Sequence, residues 1–319
     1  MKKLLFVFFI LGIIGGCSME KRSETGINPL PNFDAMWDYQ HPDSTEIKFA
    51  EILPLLKDSP EFTYDIGYHA ELLTQIARAQ GKQGKFEEAH KTLDEVDSML
   101  TTDLKVAKMR YLLERGRVYN SSGNPEKAGT LFLESWNYGV DNHLDFHSID
   151  AAHMMGIIEP PEKQIEWNLK ALEVAERTKD QRVKGWVGAL YHNIGWTYHD
   201  LKEYEKALDL FRKGYEWRKN QFNEQATQIA KWTVGRCLRS LEKYDEALNI
   251  QNELLQEFEE KQLEPDGYVF EELAELYLIK NNRSEAKKYF KLAYEYLYKD
   301  EWLKTNEPER LERLKKLGK

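Results

Sequence analysis

The chain has 319 residues and a formal net charge of −9, with 41% hydrophobic and 31% charged residues. Nucleic-acid binding needs clustered cations against phosphate, and an acidic balance of this size argues against it. The same balance gives no hold on anionic lipid headgroups. After the first 16 residues no apolar run approaches eighteen, the length that reads as a bilayer span.

At the start, Lys2 and Lys3 precede an apolar run over residues 4–14 and then two glycines. Residues 1–16 read as a secretory signal peptide, too short for an ordinary transmembrane helix. Ile14, Gly15, Gly16 and Cys17 resemble the bacterial lipobox. That resemblance implies cleavage before Cys17, acylation of its thiol (palmitate being the usual probe) and anchoring in a membrane of a bacterial cell envelope. Ser18 after the cysteine favours the outer membrane if the cell is Gram-negative. Acyl chains hold by roughly 0.8 kcal/mol per buried CH2. Loss of Lys2 and Lys3 with the leader takes the charge to −11. Cys237 is then the one free thiol, which rules out an intramolecular disulfide. Its position beside Gly235 in a helix reads as a small core residue.

Residues 17–43 read as a tether and N-terminal cap segment. Pro29, Pro31 and Pro42 punctuate it, and Phe33, Met36, Trp37 and Tyr39 are too apolar for a free linker. Asp43 with Glu46 predicts a capping box opening a helix, and Pro54 is expected to kink or end that helix.

Over residues 44–298 a pattern recurs. Tyr191, Ile194, Gly195 and Tyr198 follow the spacing W-x2-L-G-x2-Y, and Ala207 and Phe211 complete it as A-x3-F. This resembles the tetratricopeptide repeat (TPR), with Tyr for Trp and Ile for Leu. The small anchors Ala89, Ala128, Ala207, Ala247 and Ala286 follow at steps of 39, 79, 40 and 39, so one degenerate unit hides at about 145–175. There Ala152 takes the glycine position, while Gln164 and Asn168 replace the small anchor and the aromatic, which predicts looser packing. Leu254 is read as the large partner of Ala247. Residues 299–319, with Trp302, Leu311 and Leu314, are expected to form one C-terminal capping helix. The expected fold class is all-α: a right-handed α-solenoid of about six TPR-like helix pairs with N- and C-terminal capping helices.

In this family the first helix of each pair lines the concave surface. Carried onto this sequence, the residue after each Gly/Ala position gives Arg78, Arg117, His153, Trp196, Arg236 and Glu275. The row one turn earlier gives Thr74, Leu113, Ile149, His192, Trp232 and Glu271, and Arg110, Asn120, His199 and Arg239 add to the face. The candidate protein-binding groove is therefore Arg78, Arg110, Arg117, Asn120, His192, Trp196, His199, Trp232, Arg236 and Arg239. Arginine forks hold carboxylates in bidentate fashion, and Trp and Arg dominate interface energetics. The expected partner is a protein or peptide of acidic and aromatic character; pairing of these arginines with the chain's own Glu and Asp is the other reading.

Catalysis is not expected. No Walker loop, GxSxG, HExxH or CxxC occurs. His143 and His147 would share a helix face, a zinc-like spacing, but they stand at a turn, and no metal or cofactor is expected. The TPR and lipobox resemblances together imply a lipid-anchored envelope scaffold or adaptor. A peptide-sensing regulator and a solute-binding lipoprotein are the alternatives.

Overall fold

The computed structural model describes residues 30–58, 64–221 and 223–319. The signal peptide and Cys17 lie outside the described residues. Among those residues every regular element is helical, and the chain is an all-α helical repeat. It divides into two compact units that meet in sequence at Trp186 and Val187.

The first unit opens with a 3-10 turn, Phe33–Met36, and α1, Pro42–Asp58. Three helix pairs follow: α2 (Ile66–Lys82) with α3 (Phe86–Met99), α4 (Lys105–Ser121) with α5 (Pro125–Asp141), and α6 (Asp145–Ile158) with α7 (Pro161–Arg177). The short α8, Gln181–Lys184, closes it. The second unit holds α9 (Val187–Asp200) with α10 (Tyr204–Lys219), α11 (Glu224–Ser240) with α12 (Tyr244–Glu260), and α13 (Gly267–Ile279) with α14 (Arg283–Leu297). Two further helices end the chain, α15 (Glu301–Asn306) and α16 (Pro308–Leu317).

The motif's small and large residues meet as its packing logic requires. A Cβ on Gly195 would stand 2.4 Å from the Phe211 ring, and one on Gly116 would stand 2.4 Å from the Phe132 ring. Both rings are buried, so the close approach of the paired helices depends on having no side chain there. In the α11–α12 pair the residue facing the glycine is Gln251, whose Nε2 would meet a Gly235 Cβ at 2.5 Å. Leu254 is buried one turn further on. The degenerate unit is not opened by its substitutions. Gly156, one turn beyond Ala152, takes the close approach, with Asn168 Nδ2 at 2.8 Å from where its Cβ would be.

The turns inside the pairs share one device. Gly84, Gly123, Lys202, Glu242 and Asn281 each adopt a left-handed backbone with φ between 59° and 84°. Beyond each, an amide reaches back to a carbonyl of the last helical turn, as Lys243 N does to Leu238 O at 3.0 Å. This is the Schellman arrangement, in which glycine carries no Cβ penalty. The α6–α7 turn has none of it, because Glu159 and Pro160 are extended ahead of the helix-initiating Pro161. Glu242→Gly is accordingly expected to stabilise the second unit by about 0.5–1 kcal/mol, read as a rise in its urea midpoint at unchanged slope.

The ends differ from expectation. Glu46 does not close a capping box; its carboxylate accepts from Gln80, Gln83 and Lys85 around the end of α2. Helix α1 also continues past Pro54 to Asp58. The C-terminal stretch is two helices broken at Glu307–Pro308, and Leu303, not Trp302, is the buried residue of the first.

Candidate functional site

The first helix of each pair presents a charged and aromatic face, and each unit carries its own. In the first unit the face is a stripe of α2, Glu71, Gln75, Arg78 and Lys82, spaced three or four residues apart. Beside it stand Arg110, Glu114 and Arg117 of α4, then Asp150 and His153 of α6. Thr74, Leu113 and Ile149 are fully buried, so that predicted row faces neighbouring helices and not the groove. They lie three residues before the small position and therefore share its packed side.

Each first-unit arginine of the predicted groove has carboxylate partners. Arg110 donates Nε to Glu71 at 3.0 Å and both Nη atoms to Asp34 at 3.1 and 2.5 Å. Arg117 donates to Glu114 at 2.6 Å and to Asp150 at 2.5 Å. Arg78 stands 3.7 Å from Glu114 and lies over the rings of Trp37 and Tyr39. Asn120 is partly exposed at the end of α4. Burial opposes the Asp150 charge, but Arg117, with Arg78 beside it, more than offsets it and holds the carboxyl at about 2.

In the second unit α9 and α11 bring together the six remaining candidates. Trp196 Nε1 donates to His192 Nε2 at 3.0 Å, and its ring lies 6.3 Å from that of Trp232. Trp232, three residues before Gly235, is a buried core residue like Thr74, Leu113 and Ile149 and does not line the face as predicted; its Nε1 donates to the Tyr268 carbonyl at 3.2 Å. His199 Nε2 and the Arg236 guanidinium converge on the Ser240 hydroxyl at 2.9 and 2.7 Å. Arg239 forks onto Glu272 of α13 at 2.6 and 2.8 Å, with Arg236 Nε 3.2 Å from the same carboxylate. The face continues with Arg310 of α16 holding Glu271 at 2.9 and 2.5 Å. Sequence reasoning missed Arg310 and Glu272. Their signal is opposite charge one repeat apart, 33 residues for Arg239–Glu272 and 39 for Glu271–Arg310.

Burial depresses both histidines of this face to about 4, helped by Arg218 beside His192 and by Arg236 and Arg239 beside His199. A histidine depressed in the folded state stays neutral while the unfolded chain takes up protons. Its stabilising effect is complete above about pH 6.5 and is lost as pH falls toward 4. The second unit is expected to lose about 1 kcal/mol per histidine between pH 7.5 and 5.5. Guanidinium midpoints at the two pH values check this: the drop should shrink in a His192→Gln, His199→Gln variant, and an equal drop would refute it.

His143 lies in the α5–α6 turn with φ 56°, and His147 is in the first turn of α6, so the two do not share a helix face. Among the described residues no three His, Cys, Asp or Glu side chains are grouped to hold a metal. Cys237 is fully buried, its thiol directed at the Tyr204 carbonyl and pushed up to about 11 by burial. No helix among the described residues is long and apolar enough to cross a membrane.

Paired helices closed on small residues, with a polar and aromatic inner face, define a helical-repeat interaction module. Residues 188–221 match the family model of the tetratricopeptide repeat. The fold is similar to the apo form of RapI, at 15% identity and TM-score 0.69, covering 86% of this chain and 76% of that one. It is also similar to PH0952 from Pyrococcus horikoshii, described as a signal transduction ATPase with a tetratricopeptide repeat sensor. There the identity is 17% and the TM-score 0.65, covering 86% of this chain but only 43% of that one. Aspartyl phosphate phosphatase F from Bacillus subtilis gives 15% identity and TM-score 0.58, covering 88% and 74%. No curated protein matches by sequence. Residues 188–221 are therefore a tetratricopeptide repeat, a module that binds proteins or peptides and is typically non-catalytic, within a chain of the same all-helical repeat fold.

Proposed function

We propose that this protein is a lipid-anchored scaffold of a bacterial cell envelope, recruiting a partner protein through the inner face of its repeats. The observation that carries the reading is the α9–α11 face, where Trp196, two histidines and two arginines converge. Trp and Arg are the residue types that most often dominate binding energy. A partner carboxylate reaching Arg236 and Arg239 competes with Glu272, which makes the face selective for acidic segments. The anchor reading rests on Cys17 and the three residues before it.

Two experiments test the two halves. Labelled palmitate should enter the wild-type protein and not a Cys17→Ala variant; no label in wild type would sink the anchor. Trp196→Leu with Arg236→Gln should abolish partner capture from envelope membranes while helical circular dichroism is unchanged. Undiminished capture would move the binding site off this face.

A further inference from the structure

The first unit's inner face is already covered, and by a peptide belonging to the chain itself. Residues 31–39 run along the α2 stripe in order. The Pro31 carbonyl accepts from Tyr68 OH at 2.7 Å. Phe33 packs edge-on against Tyr68, ring centroids 5.1 Å apart. Asp34 is gripped by both Nη atoms of Arg110. Trp37 Nε1 donates to Gln75 at 3.0 Å. Tyr39 stacks on Trp37 at 4.8 Å, and the Arg78 guanidinium lies 5.5 Å from each of their rings. The contact partners on α2 advance by two turns from Tyr68 to Gln75 and then by one turn each to Arg78 and Lys82, which reaches the Tyr39 ring at 5.7 Å.

The hold is of the kind a peptide-binding groove uses. One carboxylate is forked by an arginine, one indole N–H is accepted by a buried glutamine, and cations sit over aromatic rings. Few of the segment's backbone groups join it to the helices; Tyr68 to Pro31 is the backbone anchor from α2, and Asp38 N donates to Thr45 Oγ1 of α1. Side chains therefore carry the docking.

We propose that the inner face of α2 and α4 is a peptide-binding surface whose resident occupant is residues 31–39, and that a partner segment of the same chemistry displaces it. That chemistry is an aspartate directly after an aromatic residue, with further aromatics three and five positions on. The proposal extends the reading of the repeats as protein-binding but concerns a different unit from the α9–α11 face, so either site can fail alone. Attachment to α1 through the short turn at residues 38–42 keeps the resident segment at an effective concentration of at least about a millimolar. A free peptide of micromolar affinity is then suppressed by about two to three orders of magnitude.

The test uses a fluorescein-labelled peptide of residues 30–41 and the full chain. By anisotropy the peptide should bind a variant carrying Asp34→Lys and Trp37→Ala at least tenfold more tightly than wild type. Adding Arg110→Glu should remove that binding. No binding to a double variant whose circular dichroism and melting match wild type would overturn the proposal. Amide hydrogen exchange on the unsubstituted chain gives an independent arm. The Ala35 and Asp38 amides should exchange at least a hundredfold faster than those in the centre of α2, by opening of the segment alone. Exchange of both in one cooperative step would make the segment an inseparable part of the unit and overturn the proposal.

Discussion

Gly195→Ala is expected to destabilise the unit 187–319 by about 1–2 kcal/mol, against the usual sign for such a change. In an ordinary helix interior, replacing glycine by alanine stabilises by roughly 0.5–1 kcal/mol. Here the new methyl would stand 2.4 Å from the Phe211 ring, which is 2% exposed and has nowhere to go. Overpacking of this kind costs about 1–3 kcal/mol. Phe211→Ala alone should cost about 3–5 kcal/mol, by lost burial and the cavity left behind. The double variant should be no less stable than Phe211→Ala, because the cavity accepts the methyl. Urea denaturation of the four proteins measures the coupling; strict additivity would contradict the account. Gly116 and Phe132 offer the same test in the first unit.

Arg117→Met is expected to cost the first unit about 3–4 kcal/mol, because it strands Asp150 and leaves Glu114 with Arg78 alone. Glu114 is the more sensitive of the two, its side chain being 3% exposed. Asp150 is depressed to about 2 in the folded protein, so its stabilising effect is present above the usual carboxylate range and lost as pH falls through 2. Without Arg117 that carboxyl rises, and the variant's stability deficit should narrow on acidification from pH 7 to pH 4. Adding Asp150→Leu should recover most of the loss. A variant as stable as wild type at pH 7 would show that the inner-face ion pairs carry no structural weight.

Much of the architecture was legible because it depends on local periodicity. Ala89, Ala128, Ala207, Ala247 and Ala286 are all buried at 2% exposure or less, where the repeat spacing put them. What escaped depends on which side a helix turns toward its neighbour. Gly156 took over the close approach from Ala152, and Gln251 took the place assigned to Leu254, because a shift of one turn keeps a residue on the same face. Glu46 looked like half of a capping box because Asp43 stands three residues before it. Its real partners are 34, 37 and 39 residues away. The candidate arginines were found from motif position, while their carboxylates one repeat along were not. The aromatic density at 33–39 signalled a cap but not its course along α2.

Site-specific photocrosslinking in living cells tests the central claim, that partners dock on the inner face, most directly. A photoreactive phenylalanine analogue would be placed at position 199 on the inner face of α9 or at position 216, exposed on α10. The account predicts a discrete crosslinked partner from 199 and none from 216, with both proteins melting like wild type. Crosslinks from 216 and none from 199 would contradict it and place recognition on the outer helices.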